Sequence, residues 1–125
     1  MFQMYGNNKY ILAPMVEGSE PAFRLLTRSL GVQWAFTPMW HAVNFVNNSG
    51  YQKECLASLV EHPEYSDRPL TVQFCANVPQ VFSDAVGILV EKDLKIDAVD
   101  LNLGCPQGIA RKGNYQKMNK NTEKD

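Results

Sequence analysis

Three observations predict an α/β fold of parallel strands joined by helical crossovers. Short apolar runs bounded by turn residues alternate with segments of helical period, in the order strand, helix, strand, helix, strand. Two of the strands also alternate in character: Leu70, Val72 and Phe74 against Thr71, Gln73 and Cys75, then Val99, Leu101 and Leu103 against Asp100 and Asn102. Gln73 and Asn102 therefore lie on the polar side of their strands, near the C-terminal ends. Periodicity alone admits either an open doubly wound sheet or a β/α barrel. The two amides favour the barrel, because a barrel builds its active site at the C-terminal ends of its strands.

Tyr10 to Met15 is a short apolar run stopped by turn signals, as suits a buried parallel strand. Ser19 is placed to cap a helix that has Pro21 in its first turn. Ala22, Leu25, Leu26 and Leu30 follow at helical spacing, and Gly31 stands where a C′ glycine belongs. Trp34 to Thr37 reads as a second strand, stopped by Pro38. The signal weakens from Met39 to Arg68: Ala42 to Val46 makes one or two helical turns, Asn47 to Gly50 a loop, and Glu54 to Val60 another short helix. Leu70 to Cys75 is the third strand. Asn77 and Gln80 have capping-box spacing, and Val78, Val81, Phe82, Ala85, Val86 and Leu89 form the apolar stripe of the next helix. Ala98 to Leu103 is the fourth strand.

Composition limits the rest. With 125 residues the chain has room for one domain, and 45% hydrophobic with 20% charged residues is ordinary for a globular protein. A net charge of −1 gives no bulk electrostatic case for nucleic acid or membrane. The three cysteines lie at irregular spacing with no CxxC pair or His-Cys cluster, so no metal site is expected. Reduced thiols suit a cytoplasmic location, with the nucleus as the alternative. Met1 to Tyr10 has no apolar core, so no signal peptide is expected, and no apolar run reaches the ~18 residues of a membrane span.

The segment Asp100 to Gln107 carries the chemistry. Cys105 sits in a Gly-Cys-Pro turn just beyond a strand, which lifts a thiol off the sheet with an amide, Asn102, three residues before it. The bland alternative is a small core residue, since free cysteine is often buried. A free thiol titrates near ~8.5 and is mostly protonated at neutral pH, so it serves as a proton donor unless a cation lowers that value. His41 and His62 lie far back along the chain and give a Cys-His nucleophile no support. Gln73 is either a plain strand amide or, with Thr71 inside a barrel, a hydrogen-bond partner for a heteroaromatic ring; Asn102 reads similarly. Pro14-Met15 is either turn chemistry or the floor beneath a flat cofactor. Arg111 and Lys112 are a solvated pair or a contact to a phosphate backbone. Trp34 and Trp40 read as packing, Cys75 reads as structural, and Cys55 lies in an uninformative region.

Leu12-Ala13-Pro14-Met15-Val16, Phe23-Arg24, Thr37-Pro38-Met39, Pro69-Leu70-Thr71-Val72-Gln73-Phe74 and Asp100-Leu101-Asn102-Leu103-Gly104-Cys105-Pro106-Gln107 stand in a telling order over residues 10 to 115. In order and approximate spacing they resemble the landmarks of the tRNA-dihydrouridine synthases. Phe36-Thr37-Pro38-Met39 with Ile109-Ala110-Arg111-Lys112-Gly113 resembles the eukaryotic branch that modifies the D-loop. The resemblance implies an FMN-binding β/α barrel followed by a helical tRNA-binding domain, with NADPH as reductant. It implies reduction of uridine to dihydrouridine in tRNA, with hydride delivered to C6 from reduced FMN and a proton to C5 from Cys105. Ala13, Pro14 and Met15 would lie beside the flavin, Gln73 on its ring, Asn102 near flavin and uracil, and Arg111 and Lys112 on the RNA.

A full barrel takes ~250 residues, so the expected fold is the N-terminal half of a (β/α)8 barrel over residues 1 to 115, about four strands long. Residues 116 to 125 depart from the family's pattern and read as a disordered polar tail left by a truncation. The family's later lysine and histidine, its phosphate-gripping loops and its RNA-binding domain are then missing, and this chain alone is expected to be inactive. Unpaired edges on the first and fourth strands predict marginal stability, a rearranged open sheet, self-association or pairing with a missing partner segment. Two other functions stay open: a different FMN barrel oxidoreductase acting on a small molecule, and a non-catalytic product that binds RNA or a partner.

Overall fold

The computed structural model describes residues 9–59, 65–94 and 96–104. Four parallel strands form one sheet in the order β1 (Ile11–Leu12), β2 (Trp34–His41), β3 (Leu70–Cys75) and β4 (Ala98–Asn102). The helices are α1 (Pro21–Ser29), α2 (Ala42–Asn47), α3 (Ser49–Ala57) and α4 (Pro79–Glu91). Each new strand is laid beside the one before it. That is the winding of a barrel, whereas a doubly wound sheet reverses its order at a switch point. The expected tail at 116 to 125 lies outside the described residues.

β2 does not stop at Pro38 but runs on to His41. Proline has no N–H to give the ladder, so the β2–β3 register slips between Phe36 and Met39. Buried Thr37 repairs the gap: its Oγ1 accepts the Gln73 N–H at 3.2 Å and donates to the Pro38 carbonyl at 2.9 Å.

Pro21 opens α1 as expected, but Glu20 is the N-cap residue and makes no side-chain cap bond. Ser19 instead closes the β1–α1 loop. Its hydroxyl accepts the Met15 N–H at 3.0 Å and donates to the Met15 carbonyl at 3.1 Å. Gly31 has φ +104°, and the N–H groups of Gly31 and Val32 bond the carbonyls of Arg28 and Thr27, which makes a Schellman ending. The leucines behave otherwise than their spacing suggests: Leu26 and Leu30 are exposed, while Arg24 is fully buried. The Arg24 guanidinium donates to Asp67 at 2.7 Å and to the carbonyls of Ser19 and Ser58 at 2.7 and 2.9 Å. Arg28, one turn on, donates to the other Asp67 oxygen at 2.9 Å and to the Pro69 carbonyl at 2.6 Å. These paired charges turn the polar side of α1 toward the segment that leads into β3.

α3 begins earlier than expected, because Asn48 accepts the Tyr51 N–H at 3.0 Å and caps it. The capping box at Asn77 and Gln80 does not form. Val78 is the N-cap residue, and Gln80 reaches Asp84 one turn on at 2.8 Å. Ala85 and Leu89 are fully buried against the helix side of the sheet, where Leu70, Val72 and Phe74 point. Phe74 stands edge-on to Phe45, Trp40 and Phe82, with centroids 5.2, 5.7 and 6.4 Å away, so Trp40 packs as the sequence suggests. The other face of β3 is also sealed: Thr71, Gln73 and Cys75 are 0%, 6% and 1% exposed. Each of the three has a side-chain partner on a neighbouring strand: Trp34 for Thr71, Asp100 and Asn102 for Gln73, and His41 for Cys75.

Candidate active site

The inward face is built in rows set by the strand register. Met39, Gln73 and Asp100 align across β2, β3 and β4, and His41, Cys75 and Asn102 align one step nearer the C-terminal rim. Below them the Trp34 indole N–H donates to Thr71 Oγ1 at 2.8 Å. Gln73 is held at both ends of its amide. Its Nε2 donates to Asp100 Oδ2 at 2.6 Å, and its Oε1 accepts from Asn102 Nδ2 at 3.2 Å. Asn102 Oδ1 in turn accepts the Gly104 N–H at 2.9 Å, an Asx turn that starts the loop toward Cys105.

At the rim, Cys75 Sγ lies 3.6 Å from His41 Nδ1. Burial holds the imidazole below its ordinary value, which favours a neutral ring. The His41 backbone N–H donates to the Tyr51 hydroxyl at 3.1 Å. Burial pushes the Tyr51 phenol up to about 12, and the Cys55 thiol up to about 12, so both stay protonated at neutral pH. A cavity of about 320 Å³ lies beside this rim, between Val16 and Glu17 of the β1–α1 loop, Met39 and Trp40 of β2, and Tyr51 and Cys55 of α3. Neither Gln73 nor Asn102 lines it.

Gln73 and Asn102, singled out from the sequence, are thus joined directly. Ala13, Pro14 and Met15 leave the C-terminal end of β1 in a loop tied to Ser19, and no hydrogen bond among the described residues links them to Gln73 or Asn102. Cys105, Arg111 and Lys112 lie outside the described residues. Sequence reasoning missed Asp100, His41 and the inward role of Cys75. Asp100 was legible in principle, since it shares the strand parity of Asn102. His41 was hidden by ending the second strand at Pro38.

A model of the dihydrouridine synthase family matches residues 11–115. The chain belongs to the dihydrouridine synthase family. Its four parallel strands are the N-terminal part of that family's barrel. Among curated relatives, the mouse "tRNA-dihydrouridine(16/17) synthase [NAD(P)(+)]-like" protein is 53% identical over 110 residues, covering 88% of this chain and 22% of the relative. The Saccharomyces cerevisiae "tRNA-dihydrouridine(16/17) synthase [NAD(P)(+)]" is 47% identical over 115 residues, covering 92% and 26%. The human "tRNA-dihydrouridine(20a/20b) synthase [NAD(P)+]-like" protein is 34% identical over 105 residues, covering 84% and 31%. The chain therefore spans about a quarter of the length of the 16/17 synthases it matches.

Proposed function

We propose that the full-length protein containing this dihydrouridine synthase segment reduces uridine to dihydrouridine in tRNA, drawing electrons from a nicotinamide nucleotide through FMN. The observation that carries the reading is the bonded pair Gln73–Asn102 at the C-terminal rim of a singly wound sheet. The names of the 16/17 synthases support the substrate and the nicotinamide.

The residues fit a flavin. Gln73 and Asn102 offer N–H donors and carbonyl acceptors side by side, as a ring edge with alternating carbonyls and N–H groups requires. The β1–α1 loop is compact enough to act as a floor, since a Cβ on Gly18 would stand 2.8 Å from Met15 Cβ. Ala13, Pro14 and Met15 would line the ring from that loop. When bound, the flavin supplies the hydride that goes to uracil C6. Cys105 would give its proton to C5, so that one hydride and one proton add across the C5–C6 bond. Arg111 and Lys112 would meet RNA phosphates. The uridine has to leave its stack to reach such a rim, which costs least in a loop.

The test uses the full-length protein carrying Cys105→Ala. Reduction of bound flavin by NADPH should be unchanged, while transfer to uridine slows by ~100-fold or more, the loss expected for a general acid. Undiminished dihydrouridine formation would refute the assignment.

A further inference from the structure

We infer that Asp100 is a positioning residue: it sets the direction of a hydrogen-bond relay that runs through Gln73 and Asn102 to the Gly104 amide, one residue before Cys105. A side-chain amide has a donor end and an acceptor end, and it can be turned over. Two amides in series therefore have two possible senses, unless a group at one end only accepts or only donates. Here both ends are of that kind. The Asp100 carboxylate only accepts, and the Gly104 N–H only donates.

Every bond in the relay accordingly points the same way: Gly104 N–H to Asn102 Oδ1 at 2.9 Å, Asn102 Nδ2 to Gln73 Oε1 at 3.2 Å, and Gln73 Nε2 to Asp100 Oδ2 at 2.6 Å. The reversed sense would set the Gln73 carbonyl against a carboxylate and the Asn102 NH2 group against another N–H. The bond to Asp100 is the shortest of the three and charge-assisted, and Gln73 is only 6% exposed, so water competes little for it. The remaining hydrogen on each NH2 group and the spare lone pair on each carbonyl are then fixed in one sense only. The peptide leading into Cys105 is tied to the same relay. The functional half of this inference rests on the flavin reading above; the relay itself does not.

The experiment begins with the 125-residue chain, free of flavin and RNA, as wild type, Asp100→Ala and Asp100→Asn. Asp100→Ala should speed amide hydrogen exchange at Gly104 by tenfold or more and shift the side-chain NH2 resonances of Gln73 and Asn102. Backbone protection at Val72 and Phe74 should persist. Asp100→Asn keeps a carbonyl acceptor of the same size and should give a smaller change in the same direction. Unaltered Gly104 exchange and NH2 resonances in Asp100→Ala would overturn the relay. Loss of protection throughout β3 and β4 in both variants would overturn it too, by making Asp100 a residue of the fold as a whole. In the full-length protein, Asp100→Ala should weaken FMN retention at least tenfold and Asp100→Asn should recover part of it. Equal retention in wild type and Asp100→Ala would overturn the functional half alone, whereas a wild type that retains no flavin would count against the proposed function and leave the relay standing.

Discussion

Arg24 is the least expected resident of the interior. It is fully buried, and each of its three hydrogen-bond partners is an oxygen fixed by the fold. Removing its guanidinium takes this donor from the Ser19 and Ser58 carbonyls and leaves Asp67 with Arg28 alone. Arg24→Met should therefore lower unfolding stability by ~3 kcal/mol, read from urea denaturation, even though methionine fills similar space. His41 gives a pH signature. Its folded pKa lies below 6.5 because burial disfavours the charged ring, so the unfolded chain binds more protons in that range. Stability should fall as pH drops below 6.5 and level off once the folded value is passed, and His41→Gln should flatten that slope in chemical denaturation at a series of pH values. Neither residue could be placed from sequence. Arginine at a helical position normally reads as solvated, and His41 needed a strand that continues through a proline.

The elements themselves were largely legible, and their ends were not. β3 matches the alternating run Leu70 to Cys75, and β4 falls one residue short of the expected Leu103. The C-terminal end of α1 was readable because Gly31 stands at φ +104°, where a side chain is strained. Gly31→Ala should cost ~1 kcal/mol, seen as a lowered melting temperature, and no steric repacking should accompany it because nothing lies within 4 Å of the added methyl. N-terminal ends were misplaced at α1, α3 and α4. Cap chemistry is shared by turns, and Ser19 serves a loop instead of a helix. β2 outran its proline because Thr37 supplies the partner that the ladder lost.

Among the described residues, no strand pairs with the outer side of β1 or of β4. β1 is two residues long with Ile11 41% exposed, every residue of β4 is half-buried, and Leu26 and Leu30 of α1 face outward. Sedimentation velocity on the isolated chain should show a coefficient that rises with concentration, and Ile11→Lys should reduce that rise, because a charge on an edge strand discourages pairing. The helical crossovers, the parallel sense and the polar placement of Gln73 and Asn102 followed from the sequence alone, because the periods of strand and helix and the chemistry of amides are local properties. Tertiary structure alone decided that these amides bond to each other, that Asp100 heads their relay, that His41 meets Cys75, and that arginine rather than leucine seats α1. Those outcomes depend on the register between strands far apart in the chain, which no local pattern encodes.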